Sequence, residues 1–249
     1  MNVLTRLTLS ESRLFFREPI GVFFTVVFPP ILLVIFGAVP AFRQPDPDLG
    51  GLRRIELYTP IVIAMVIVMF ALNGLPQLLA TYRERGILRR MATTPVRPLA
   101  LLTAALLMCT VLSVLTTAVV LSIGRIAFAV PLPGQIVGYA LVFVLCTVAS
   151  LSIGLLIAAL APTGRAAGAI GSILFFPVMF FAGLWAPRAT MSDALVRISD
   201  LTPLGAGVQS LQDTANGSWP QPLHIAVMLV WTVAAGAVAA RYFRWEAAR

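Results

Sequence analysis

The sequence predicts an all-α integral membrane protein that crosses the bilayer six times, and three observations predict it. Hydrophobic residues make up 59% of the 249-residue chain and charged residues only 11%, whereas a soluble domain is roughly a quarter charged. The charges cluster, leaving apolar stretches of about 20 residues, the length a helix rising about 1.5 Å per residue needs to cross about 30 Å of hydrocarbon. Short connections rich in arginine, proline and glycine separate these stretches, so no region reads as a soluble domain.

Taken in order, residues 2–18 form an imperfect amphipathic pattern, with Val3, Leu4, Leu7, Leu14 and Phe15 on one helical face. It reads as an interfacial helix. Glu11 falls within that apolar stripe and Leu9 and Phe16 lie opposite it. A secretory signal is not expected, because Phe28-Pro29-Pro30 interrupts the following apolar run. The first span is expected at about 20–39, kinked near its middle by Pro29 and Pro30, which cannot donate to the preceding turn. The second covers about 57–80, the third about 99–123 and the fourth about 136–160, with Pro131-Leu132-Pro133-Gly134 turning the third into the fourth. The fifth, about 166–185, carries Pro177, and Gly164 with Gly168 has the spacing that lets helices approach closely. Residues 188–215 suggest short helices at the membrane surface, and the last span covers about 223–240.

The basic residues set the expected orientation. All 18 are arginine. With six spans, twelve of them share one side with both termini and six lie on the other, while the ten acids divide four to six in the opposite sense. Positive residues are retained on the cytoplasmic side, so both ends are expected there. The net charge of +8 is spread among short connections without a continuous basic patch, which argues against nucleic acid. Asn216-Gly217-Ser218 matches a glycosylation triplet, a pattern that chance also produces.

Several chemistries are excluded or disfavoured. A P-loop needs a lysine to reach the terminal phosphates, and the chain contains none; ATP hydrolysis would have to come from another polypeptide. No ionisable residue falls in the middle of a span, where proton relays and ion-coupled transporters need one. Cys109 and Cys146 lie inside apolar spans and read as small hydrophobes, neither disulfide nor metal ligand. His224 reads as an interfacial histidine, and no nucleophile has a nearby base, so an enzyme is not expected.

The connection after the second span is the most charged stretch of the chain: Arg83, Glu84, Arg85, Gly86, Ile87, Leu88, Arg89, Arg90 and Met91, closed by Thr94-Pro95. Ile87, Leu88 and Met91 form one apolar edge among arginines, which suits either a docking helix or a solvated loop. With Tyr82 ahead of it, this stretch resembles the signature of ABC type-2 permeases. A second likeness runs from Phe175-Phe176-Pro177 through Phe180-Phe181-Ala182-Gly183-Leu184-Trp185 to Pro187, Met191, Leu195, Pro203-Leu204 and Gln209. It is similar to the C-terminal pattern of that family, especially its antibiotic-resistance and multidrug exporters. Arg17-Glu18-Pro19, Phe28-Pro29-Pro30 and Phe36-Gly37 supply a third. One departure is Met191-Ser192, where the family often has Met-Pro.

The resemblance implies a cytoplasmic coupling helix within 82–95 that rests on a separate ABC ATPase. It further implies two ATPases and two permease copies, identical or paralogous, per complex, with ATP and magnesium bound by the partner and no cofactor in this chain. The setting would be a bacterial-type plasma membrane. Glu84 and Arg85 would be charge partners of the ATPase, and Gly86 would permit close approach. Met65, Met69 and Asn73, four apart on one face of the second span, with Phe176, Met179 and Phe180 on the fifth, form a candidate substrate surface, lipid-facing or packing residues being the plainer alternative. Pro29, Pro30 and Pro177 are candidate gating kinks. The implied cargo is a hydrophobic or amphiphilic drug; a lipid or lipid-linked glycan is the alternative, and a passive channel or scaffold the rival of another class. Neither substrate nor direction is written in the residues themselves.

Overall fold

A computed structural model describes residues 3–47, 51–87 and 98–242. Six of its helices are long and apolar enough to cross a membrane: Pro19–Ala38, Arg54–Glu84, Ala100–Phe128, Ile136–Leu160, Gly164–Phe181 and Pro222–Tyr242. They are called spans one to six below. Among the described residues there is no strand, so the fold is the all-α membrane type, the arrangement that satisfies every backbone group within its own helix.

The second span is the centre of the molecule. Its upper half is apolar on every face, and a helix of that kind belongs inside other protein; every residue from Tyr58 to Val68 is buried. Spans one, three, four and five and the helix Pro203–Ala215 pack around it. Spans one, three and six turn apolar side chains outward, Ile20, Ile31, Ile35, Leu115, Ile126 and Val233 among them. Those faces match hydrocarbon. Span six lies against span four, and the amphipathic helix Val3–Phe15 runs along span three.

Two spans are irregular at their proline-rich points. Span one is π-helical over Phe23–Val27, and Pro29 and Pro30 then occupy the first turn of the α-helix Phe28–Ala38. Span two is π-helical over Met69–Gly74 before the helix Leu75–Glu84, which opens on Pro76. A proline supplies no N–H to the turn before it, and a π-turn is one way of re-registering the ladder there. The two π-turns touch each other. Pro177, by contrast, lies within the unbroken helix Gly164–Phe181.

Glycines let the π-turn of span two sit deep between its neighbours. A Cβ on Gly154 of span four would overlap the carbonyl oxygen of Ala71, and one on Gly171 of span five that of Leu72. On the face opposite the termini, Arg53 ties span two to span three. Its guanidinium binds Glu56 at 2.6 Å and donates to the carbonyls of Phe128 at 3.0 Å and Ala129 at 2.9 Å. The two α-helices between spans five and six, Asp193–Leu201 and Pro203–Ala215, close the same face. Ser199 donates to the Phe181 carbonyl at 2.7 Å there.

Candidate functional site: the foot and flank of the second span

The foot of span two is built from three consecutive side chains. Successive helix positions point about 100° apart, so Tyr82, Arg83 and Glu84 reach three different elements. Tyr82 donates its hydroxyl to Oε2 of Glu11 on the amphipathic helix at 2.7 Å. Arg83, 7% exposed, donates to the carbonyl of Ala159 at 3.2 Å and to that of Ala161, at the C-terminal end of span four. Oε2 of Glu84 accepts the backbone N–H of Gly164 at 3.0 Å, at the start of span five.

The signs of these charges match what they touch. A helix ends in carbonyls with no partner and a partial negative charge, and begins with unpaired N–H groups and a partial positive one. The guanidinium takes the first and the carboxylate the second. Thr163 caps span five beside Glu84 by accepting from Ala166 N–H at 3.1 Å. Gly164 lies against Thr81 and Gln77, and Gly168 against the Gln77 side chain, so span five starts in close contact with the foot.

Glu11 explains its own place in an apolar stripe. It is 4% exposed, and burial raises its carboxyl above the ordinary range while the hydrogen bond from Tyr82 works in the opposite direction. Phe15 on the same helix meets the ring of Phe70 at 5.7 Å.

The residues expected at an ATPase contact have these surroundings within the chain. Arg83 is buried and committed within the chain, and the Glu84 carboxylate, though exposed, is engaged by Gly164; Arg85 is exposed. Gly86 has φ of +67° with open space where a Cβ would stand, so within the chain the glycine serves the turn's left-handed backbone. Ile87 is described; Leu88, Arg89, Arg90 and Met91 lie outside the described residues.

The candidate substrate surface divides. Met65 and Met179 are 1% and 0% exposed, inside the chain's own core. What remains at the surface follows the seam between spans two and five. Met69 and Asn73 are half-buried, Ser172 is exposed, and Phe176 is 60% exposed and stacked on Trp185 at 6.1 Å. Phe180 is half-buried against Phe181. Ser172 donates to Oδ1 of Asn73 at 3.2 Å, and the amide nitrogen of Asn73 meets the Met69 sulfur at 3.9 Å. A pocket of about 40 Å³ between Ile61, Gly183, Arg188 and Gln212 is far below the roughly 300 Å³ that a drug-sized ligand needs.

Sequence reasoning missed two groupings. One is Tyr82 with Glu11, and the signal was available, since a carboxylate in an apolar stripe demands a partner. The other is on the face opposite the termini. His224 is 2% exposed with Nε2 3.1 Å from Oδ1 of Asp200, which also binds Arg188 at 2.6 Å. Cys109 and Cys146 are free and buried.

The sequence model of the ABC-2 type transporter family matches residues 3–215, from the amphipathic helix through five spans to the end of the second surface helix. The chain belongs to the ABC-2 type transporter family. It is therefore the membrane permease of an ATP-binding cassette transporter, a multi-pass protein whose family works with an ATP-binding subunit. No curated protein matches the sequence. In this ABC-2 permease, the foot of span two leads directly into the charged connection, and the Asn73–Ser172 seam lies further along the same span.

Proposed function

We propose that this ABC-2 permease is half of a dimeric exporter that moves a hydrophobic or amphiphilic compound, such as a drug, out of the cytoplasm or inner leaflet. Two copies of a separate ATPase supply the energy, docking on the connection after Glu84. Both termini face the cytoplasm of a bacterial-type plasma membrane, as the arginine distribution argues.

The observation that carries this reading is the Asn73–Ser172 pair on an open face within the membrane. Hydrocarbon cannot satisfy an amide N–H, and among the described residues that of Asn73 meets only a sulfur. A water-bearing or substrate-bearing path supplies the missing partner. Met69 and Phe176 beside it offer adaptable apolar contact, suited to cargo with both characters.

The test is co-expression with a soluble P-loop protein encoded beside the permease, followed by affinity purification and an ethidium accumulation assay. Recovery of the ATPase and lower dye accumulation, both lost without the permease, are expected. A permease that carries no ATPase through purification would overturn the reading.

A further inference from the structure

We infer that Arg83 and Glu84 are positioning residues that fasten the foot of span two to the turn between spans four and five, so that force applied to the connection after Glu84 reaches span five through them. This rests on the reading above and sharpens it: Glu84 acts by holding Gly164, and its contact is inside the permease.

The need for a fastening comes from the shape of span two. Between its buried upper half and the foot lies the π-turn Met69–Gly74. An irregular turn is where a helix yields, so a push at the foot would be absorbed there unless the segment Leu75–Glu84 were held sideways. Its contact with span five runs along Gly164 and Gly168, while Gly171 lies against the π-turn at Leu72. The glycines add no side chain of their own there, so Thr81 and Gln77 meet span five by packing, without a directional bond among the described residues. Axial restraint must come from elsewhere.

Arg83 and Glu84 supply it. Arg83 grips the last carbonyls of span four and Glu84 the first N–H of span five, so the turn is held from both sides by adjacent residues of one helix. The bonds are directional and charge-assisted, the stronger kind of hydrogen bond. The foot of span two, the end of span four and the start of span five then move as one body. Arg85 and the left-handed Gly86 follow immediately, at the point where the charged connection begins.

Glu84→Gln separates this role from a charge contact with the ATPase, because glutamine keeps an acceptor oxygen in the same place and loses the charge. Glu84→Leu loses both. In lipid nanodiscs, hydrogen exchange over residues 161–168 is expected to quicken about tenfold at Gly164 in Glu84→Leu and to stay near wild type in Glu84→Gln. In the complex with its ATPase, nitroxides at Ile173→Cys on span five and Val233→Cys on span six report whether ATP with vanadate changes their separation. Both sites are well exposed, at 70% and 69%, and the native cysteines are buried.

Wild type and Glu84→Gln are expected to show the nucleotide-dependent change, and Glu84→Leu to lose it while still binding the ATPase. A Glu84→Gln variant as impaired as Glu84→Leu would overturn the inference, as would unchanged exchange at Gly164 in Glu84→Leu. Arg83→Met gives a second arm: if it leaves the nucleotide response intact, the two residues do not act together and the inference fails. Should wild type itself recover no ATPase, the exporter reading falls and this one with it. Exchange at Gly164 still responds in that case, which distinguishes the two failures.

Discussion

The hydroxyl of Tyr82, at the foot of the second span, lies 2.7 Å from the carboxylate of Glu11, and this bond fixes the amphipathic helix to the transmembrane bundle. Glu11 is buried with its carboxyl raised above the ordinary range. A raised carboxylate means the folded state holds the proton more tightly than the unfolded one. Above the folded value the burial penalty is fully present; as pH falls through that value toward and below the ordinary 4.5 it is relieved. Attachment of the helix is therefore expected to strengthen on mild acidification. Glu11→Gln abolishes that dependence, and thermal unfolding in nanodiscs between about pH 4 and 7 checks it. Tyr82→Phe, which strips the carboxylate of its donor, is expected to cost about 1–3 kcal/mol.

The glycines flanking the π-turn differ in what a methyl group would strike. At Gly171 and Gly154 it meets backbone carbonyls, which cannot swing away; at Gly168 it meets the mobile end of the Gln77 side chain at 3.2 Å. Gly171→Ala and Gly154→Ala should each destabilise by about 1–3 kcal/mol, the range for overpacking a tight contact. Gly168→Ala should fall well below them. Midpoints of thermal unfolding for the three variants decide the order.

These positions also show what could be read from the residues alone. Hydropathy located six spans because the bilayer imposes a length that few other environments require. Span ends were less legible. The second span, expected at about 57–80, runs from Arg54 to Glu84. Arg53 and Glu56 close a capping arrangement at its start, and partners on other helices hold Tyr82, Arg83 and Glu84 at its end. Periodicity says which face of a helix is apolar and not which neighbour covers it. Met65 and Met69 share a face, yet the first is core and the second is surface. Arg83 read as part of a charged connection because its acceptors, the Ala159 and Ala161 carbonyls, are more than 75 positions away in sequence. Backbone carbonyls leave no trace in the residue pattern.

Gly86 offers a test of backbone conformation alone. Its φ of +67° is one that residues with a Cβ adopt at a cost, and the space around it is open. Gly86→Ala is expected to strain the turn by about 1 kcal/mol and redirect the connection that follows. Gly86→Asn, which tolerates the left-handed region better, should do less harm. Recovery of the ATPase with each variant is the measurement. Equal loss for alanine and asparagine would mean that the lack of a side chain, not the φ angle, is what matters.

On the face opposite the termini, Asp200 joins three elements. Its Oδ1 binds Arg188 at 2.6 Å and His224 at 3.1 Å, linking the segment after span five, the first surface helix and the start of span six. The carboxylate is only 20% exposed and the histidine 2%. Removing it leaves the guanidinium and the ring nitrogen without their acceptor in a poorly hydrated place, where an orphaned polar group costs about 1–3 kcal/mol. Asp200→Ala is expected to lower unfolding stability by that amount, and Asp200→Asn by less, since an amide oxygen still accepts. Asp193, exposed at the start of the same helix, provides the control. Its replacement by alanine removes only a favourable interaction with the helix end, about 0.3–1 kcal/mol. If Asp193→Ala and Asp200→Ala were equally mild, the shared contact to Arg188 and His224 would not be holding span six to the surface helices.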